Sequence, residues 1–257
     1  MGRKNVTQPD PAHDRLRGLI VHQDPALIAF NKPAGLASQG GRGVTESVES
    51  LAAPLARGSK RPLRLVHRLD RDTSGVIILA RTQPAAAALS AAFAERRMRK
   101  LYLALACGDV ASTDGVIDQP LRKTARAGLD LVETCAANAP GAQTAQTHYQ
   151  VIGRSKGATL LVLAPLTGRM HQLRVHAQIL GAPLFGDGKY GGLFALGAEP
   201  AGRMHLHAFR LHGPHPSGGA LALEAPVPED LRQIWLRLGI DLAAALSLTS
   251  SSLLGAP

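Results

Sequence analysis

The sequence predicts an α/β (α+β) fold, and three observations predict it. Val76–Ala80 is an unbroken apolar run of strand length, bounded by Gly75 and Arg81 and rich in β-branched residues; it suits a strand buried on both faces. Elsewhere, pairs of short apolar runs are joined by turn-forming residues, the pattern of antiparallel hairpins. Between them lie stretches whose apolar residues recur at helical spacing, with capping or stop residues at their ends.

Taken in order, residues 1–17 read as a disordered basic lead-in and 18–240 as a single domain. Gly18–Val21 and Ala26–Phe30 flank His22-Gln23-Asp24-Pro25, a hairpin signal, and Pro33 with Gly35 stops the second strand. The Gly40–Gly43 segment lacks the spacing of a phosphate-binding fingerprint and reads as a flexible loop. Thr45 is the expected N-cap of a short helix to Leu55. After the buried strand, Thr82-Gln83-Pro84 opens a helix with Leu89 and Phe93 on one stripe, closing in Arg96-Arg97-Met98-Arg99-Lys100. Lys100–Cys107 alternates as a strand that puts Lys100, Tyr102, Ala104 and Ala106 on one face.

Residues 109–143 carry the weakest signal and read as a peripheral excursion. Thr147–Ile152 and Thr159–Leu163 make a second hairpin, and residues 170–180 a helix stopped by Gly181 and Pro183. Leu206–Leu211 and Ala220–Glu224 make a last hairpin, followed by an amphipathic helix over Pro226–Leu238. Residues 241–257 read as a flexible tail outside the core.

Composition narrows the function classes. Across 257 residues, Lys+Arg number 29 against 19 for Asp+Glu, a formal charge of +10 that favours a polyanionic partner. Aromatic residues make up only 4%, too few for the extended stacking surface of a single-strand binder. The two cysteines, Cys107 and Cys135, form no CxxC or metal-ligand pattern, and a reducing cytoplasm is the simpler setting. No apolar run approaches the length of a transmembrane helix, so no membrane partner is expected.

The chemistry concentrates just before the buried strand, where His67, Arg68, Asp70, Arg71 and Asp72 crowd together. Asp72-Thr73-Ser74-Gly75 has turn chemistry, which makes Asp72 a turn residue. Asp70 lacks that duty and lies between two arginines that favour its ionised form; it could serve as nucleophile or base, or sit in a salt-bridged surface loop. The Arg96–Lys100 cluster either complements a helix C-terminus or contacts phosphate. Arg169, Leu173 and His176 share one side of the helix over residues 170–180. His205, His207, His212 and His215 invite a metal reading, but no cysteine and only Glu224 lie near, so strand-packing or phosphate-facing roles are favoured.

Ordered blocks together carry a family likeness. Val66-His67-Arg68-Leu69-Asp70 with Thr73-Ser74-Gly75 resembles the HRLDxxTSG signature of the RluA-like RNA pseudouridine synthases. Asn31-Lys32-Pro33-Ala34-Gly35, Lys100-x-Tyr102, Thr167-Gly168-Arg169-x-His171-Gln172-Leu173-Arg174-x-His176, Gly181-x-Pro183 with Gly186-Asp187 and Tyr190-Gly191, and Leu206-His207-Ala208 follow in the family's order over residues 19–230.

The resemblance implies an isomerase that converts uridine to pseudouridine in structured RNA, tRNA or rRNA, without metal or cofactor. It implies a mixed, largely antiparallel sheet in two halves, with the RNA cleft across the middle and Asp70 at its floor. Asp70 matches the catalytic aspartate, which could attack C1′ of the sugar, add to C6 of the base, or remove a 2′ proton. Arg169 matches the arginine that ion-pairs with it. Tyr102 matches the tyrosine that stacks on the base and assists proton removal from C5, and Leu173 an apolar pocket wall. Arg68 matches the arginine that enters the space left by the flipped base, at a site where flipping costs a few kcal/mol. His67, Lys100, Arg96, Arg97 and Arg99 complete the expected RNA contacts, and the chain is expected to act as a cytoplasmic monomer.

Two departures concern which RNA is read. The short lead-in leaves no room for the S4 domain of many relatives, and Gln143 stands where relatives often have lysine. Asp70-Arg71-Asp72 superficially resembles the motif of Asp-nucleophile phosphohydrolases, but those place the apolar strand before it. A binding-only RNA chaperone of the same fold is the other rival, and Asp70, Tyr102 and Arg169 argue against it.

Overall fold

The computed structural model describes residues 16–56, 62–126, 129–155, 157–248 and 253, so the expected lead-in lies almost wholly outside the described residues. Strands β1 (Ile20–Gln23) and β2 (Leu27–Lys32) form the first hairpin. Asp24 builds its turn, its Oδ1 accepting from the N–H groups of Ala26 and Leu27 at 2.6 and 3.0 Å. Helix α1 (Val48–Ala52) starts later than expected: Ser47, not Thr45, is its cap, because Ser47 and Ser50 bond each other's backbone N–H reciprocally.

Next come β3 (Arg64–Leu65), β4 (Ser74–Ala80) and α2 (Gln83–Ala94), whose cap Thr82 accepts from the Ala85 N–H at 3.2 Å. They are followed by β5 (Arg99–Cys107), β6 (Asp114–Asp118), β7 (Leu121–Arg126), β8 (Leu129–Thr134), β9 (Gln146–Ser155), β10 (Ala158–Pro165) and α3 (Gln172–Ile179). The chain continues through β11 (Ala195–Leu196), β12 (Glu199–Pro200), β13 (Leu206–Pro214), β14 (Ala220–Glu224), α4 (Glu229–Arg237) and α5 (Leu242–Ser247).

A 10-stranded sheet runs in the order β1-β2-β4-β13-β5-β10-β9-β6, with β3 beside β4 and β14 beside β13. Its described pairings are antiparallel except β4 with β13, which run parallel over two residue pairs, His207 with Ser74 and Ala208 with Gly75. That short seam divides the sheet into two halves. In the first, β4 is buried along its whole length: Val76 and Ile78 pack with Leu89 and Ala92 of α2, while Ile77 and Leu79 pack with Phe30 and Val48 on the other face. In the second, Leu101, Leu103 and Leu105 of β5 face Trp235 of α4, and Ala104 and Ala106 face Leu173 and Ala177 of α3. The mixed α/β fold expected from sequence is the one observed.

The seam explains two motif residues. Gly75 has φ +119°, and a Cβ there would lie 2.2 Å from the Ala208 carbonyl oxygen, so only glycine lets β4 and β13 meet. Gly75 therefore serves strand packing rather than a turn. The Ser74 hydroxyl donates to His207 Nδ1 at 2.9 Å, and His207 Nε2 donates to the Ala225 carbonyl at 3.1 Å. His205 accepts from Trp235 Nε1 at 2.9 Å and donates to the Ala201 carbonyl at 3.0 Å. Both rings are fully buried and hydrogen-bonded on both nitrogens, the strand-packing role favoured from sequence.

Burial pushes His205 and His207 down from 6.5 to about 4, and each stays neutral in the folded chain. The unfolded chain therefore binds more protons between pH 6.5 and about 4, so stability is present above that window and is lost as pH falls through it. Thermal unfolding followed from pH 7 to 4 should show a falling Tm, with a shallower slope in His205→Gln; a flat profile would contradict the assignment.

Two expectations need correction. Residues 109–143 are not wholly peripheral, because β6 pairs with β9 as the edge of the main sheet and only β7 and β8 form a separate hairpin. The tail beyond Asp241 is not off the core either: α5 buries Ala245 beside Ile152 and Trp235, with Leu242 and Leu246 packed alongside. Residues 249–252 and 254–257 lie outside the described residues.

Candidate active site

The loop that enters β4 at the seam carries Asp70, and the backbone on both sides of it is fastened. The Asp70 carbonyl accepts from the Thr73 N–H at 3.1 Å, closing a turn. On one side, the Ser38 hydroxyl donates to the Leu69 carbonyl at 2.7 Å and accepts from the Leu69 N–H at 3.0 Å. On the other, the Arg71 carbonyl accepts from Lys32 Nζ and from the Gly35 N–H, both at 2.9 Å. Lys32 is 0% exposed and also donates to the carbonyls of Pro33 and Leu36, at 2.9 and 2.8 Å. Burial pushes Lys32 down to about 7, against the pull of Asp72 and Asp70. In the sequence this segment marks a strand stop and a family block; a lysine beside Pro and Gly gives no sign that its ammonium ties two loops together.

The Asp70 carboxylate itself lines the cleft and has no hydrogen-bond or ion-pair partner among the described residues. Asp72 sits in the turn as expected, but its carboxylate is exposed and meets Arg71 Nε at 3.2 Å rather than bonding backbone N–H groups.

His67 faces inward. Its Nε2 accepts from the Ile78 N–H at 3.0 Å, and its ring stacks on Phe93 with centroids 4.6 Å apart. Burial, with Lys100 nearby, pushes it down to about 3. It pins the Asp70 loop to β4 through Nε2 while the residue also lines the cleft.

The cleft has a volume of about 1090 Å³. Its lining brings together Asp70, His67, Arg68, Tyr102, Leu173, Arg169, Lys100 and Arg96, and adds Arg71, His171, Lys123 and Gln143, to which the sequence gave no role in the chemistry. Glu49 is the other carboxylate beside Asp70, so cations dominate the walls. Arg97 and Arg99 do not line it, and Arg97 instead pairs with Glu95 at 2.7 Å. The cluster is split because the chain reverses at Arg96, whose φ of +59° ends the turn after α2.

Burial lowers Lys100 to about 8. Burial first, then the charge of Asp70, pushes the Tyr102 phenol up, so it stays protonated in the free protein. That environment suits stacking on a base. The expected Asp70–Arg169 ion pair is not formed in the free protein: both side chains line the cleft, and Arg169 Nε donates to the Thr144 carbonyl at 3.0 Å.

Gln172 orders the start of α3, accepting from Thr167 Oγ1 and the Arg169 N–H at 2.7 and 3.0 Å while donating to the Gln146 carbonyl and Thr147 Oγ1. Arg174 and Asp187 form a buried bidentate pair, at 2.7 and 2.6 Å, and Arg174 lies 4.9 Å from the centre of the Tyr190 ring. The Tyr190 oxygen meets His171 Nδ1 at 2.7 Å and accepts from the Val132 N–H at 2.9 Å. The sequence quoted these residues only as family blocks; their contacts join segments far apart in the chain.

No group of three His, Cys, Asp or Glu side chains that could hold a metal occurs among the described residues. The arrangement combines a rigidly presented carboxylate, an aromatic and apolar floor and cationic walls. It can act by nucleophilic or base chemistry on a planar group carried by a polyanion.

Comparison with known proteins agrees with this chemistry. The family described as RNA pseudouridylate synthase matches residues 26–178. The chain is 36% identical over 264 positions to pseudouridylate synthase RPUSD4, mitochondrial, of Xenopus tropicalis, covering 88% of this chain and 82% of that one. It is 37% identical over 231 positions to ribosomal large subunit pseudouridine synthase C of Escherichia coli, covering 87% of this chain and 70% of that one. Among solved structures, human RNA pseudouridylate synthase domain containing 4 superposes with a TM-score of 0.76 at 29% identity, over 90% of this chain and 96% of that one.

Proposed function

The chain belongs to the RNA pseudouridylate synthase family, and from that premise we propose how its cleft works and on which RNA. It is an isomerase that converts uridine to pseudouridine in RNA; neither the phosphohydrolase nor the binding-only reading gains support. Asp70 starts the reaction. The N1–C1′ bond breaks, the uracil turns within the pocket, C5 bonds C1′, the C5 proton passes to water, and N1 takes up a proton in its place. The observation that carries this assignment is the Asp70 carboxylate, without a hydrogen-bond or ion-pair partner among the described residues, held between the fastened Leu69 and Arg71 in a cationic cleft.

Tyr102 stacks on the base and Leu173 walls the pocket. Arg68, exposed at the rim, fills the space the base leaves, since a planar guanidinium can both stack and contact phosphate. Arg169, Lys100, Arg96, Arg71 and Lys123 contact the backbone of the RNA. Relatives named as ribosomal large subunit synthases point to large-subunit rRNA as the substrate here. No described helix is long and apolar enough to cross a membrane. Cys107 and Cys135 are both free thiols, which fits a reducing compartment such as the cytoplasm.

The test is single-turnover modification of unmodified large-subunit rRNA and tRNA transcripts, mapped at nucleotide resolution over a range of salt. Pseudouridine is expected in rRNA and not in tRNA. Arg68→Ala should slow turnover at saturating enzyme more than it weakens binding, whereas Arg96→Ala should weaken binding to both RNAs and flatten the salt dependence. Modification of tRNA alone would overturn the substrate assignment, and normal turnover of Arg68→Ala would reduce Arg68 to a phosphate contact.

A further inference from the structure

His171 is unusual for its place. It is the N-cap of α3 with φ +52°, a left-handed conformation that costs energy for a residue bearing a Cβ, and its side chain makes no capping bond in return. The imidazole instead lines the cleft with Asp70, Tyr102 and Leu173.

Its protonation pattern follows from its partner. The Tyr190 oxygen already accepts from the Val132 N–H at 2.9 Å, so the arrangement that satisfies the hydroxyl has it donate to His171 Nδ1 at 2.7 Å. Nδ1 then accepts, and the ring proton sits on Nε2. The buried Arg174–Asp187 pair holds Tyr190 in turn: Arg174 lies 4.9 Å from its ring centre, and Asp187 Oδ1 accepts from the Tyr190 N–H at 3.3 Å. Nε2 has no partner among the described residues. Burial, with Arg174 and Lys189, lowers His171 against the upward pull of Asp70 and Asp187 and favours the neutral ring.

Resting on the function proposed above, we infer that His171 contacts the substrate, donating a hydrogen bond from Nε2 to a carbonyl oxygen of the flipped uracil, with Tyr190 as the positioning residue. A neutral donor beside Tyr102 and Leu173 matches a neutral carbonyl, whereas the phosphates have their own charged partners in Arg169, Lys100 and Arg96. Cytosine keeps one carbonyl but presents an amino group in place of the other, so the contact also favours uracil if it falls on that edge.

His171→Asn isolates the contact. Asparagine tolerates the left-handed conformation and keeps a polar atom near the Nδ1 position for Tyr190, but leaves nothing at Nε2. The probe is a short stem-loop spanning the modified uridine, made with uridine, 2-thiouridine or 4-thiouridine at that position, because sulfur is a poor acceptor. With uridine, His171→Asn should lower the single-turnover rate by at least about tenfold with Tm unchanged. With one of the two thio-bases that loss should shrink to about threefold or less, since the wild-type contact is already gone. A loss of the same size on all three bases, or no loss on uridine, would overturn the contact. Failure of the wild-type protein to modify the stem-loop would instead overturn the function on which it rests.

Discussion

Asp70→Asn should abolish pseudouridine formation, lowering the single-turnover rate by at least about 10⁴-fold. The amide keeps the shape of the side chain but can neither attack carbon nor take a proton. The fold should hardly notice, because the carboxylate has no hydrogen-bond or ion-pair partner among the described residues and the loop is fastened through the Leu69 and Arg71 backbone. RNA affinity should be kept, since a negative charge leaves a cationic cleft. Asp72→Asn is the matched control: its exposed pair with Arg71 is worth about 0–1 kcal/mol, so stability and rate should both stay near wild type. Turnover within tenfold of wild type in Asp70→Asn would remove the assignment.

Arg174→Met is expected to cause the largest loss of stability, about 3–5 kcal/mol, because it strands Asp187 as an unpaired buried charge. The side chains of the pair are 7% and 0% exposed, so water cannot take the place of the arginine. The damage should reach the cleft, since Arg174 packs over Tyr190, which holds both His171 and the Val132 backbone of β8. Urea unfolding of Arg174→Met and of Arg174→Met/Asp187→Leu gives the check. The double variant should recover much of the loss, because removing both charges of a buried pair is far cheaper than removing one. A single variant within about 1 kcal/mol of wild type would contradict the account of the pair.

How much of this was legible in the sequence varies with the range of the interaction. Strand β4, its burial on both faces, the hairpins, the start of α2 and the end of α3 follow from local patterns of apolar, glycine and capping residues, and they are found where those patterns put them. Thr45 failed as a cap because Ser47 offered a reciprocal box three residues from Ser50. The tail failed because its Ala- and Leu-rich composition says nothing of the groove beside Trp235 that Ala245 fills.

The site was legible in its residue types more than in their contacts. Asp70, Tyr102, Leu173 and Arg169 do share one cleft, but the Asp70–Arg169 pair expected from the family likeness gives way to an Arg169–Thr144 bond. His67, expected among the RNA contacts, lines the cleft and also fastens its own loop to β4, a contact the sequence did not signal. Lys32, His171 and Tyr190 act through partners far along the chain, Lys32 with Arg71, His171 with Tyr190 and Tyr190 with Val132, and no local pattern records such pairings.

The hydrogen at C5 reports on the chemistry of the cleft most directly. Large-subunit rRNA transcribed with tritium at uridine C5 is incubated with the purified wild-type chain in potassium chloride and excess EDTA. The prediction is tritium release matching, one for one, the pseudouridine formed at the mapped positions, with none from Asp70→Asn. Absence of release from the wild-type protein, or release that requires added zinc or magnesium, would contradict it.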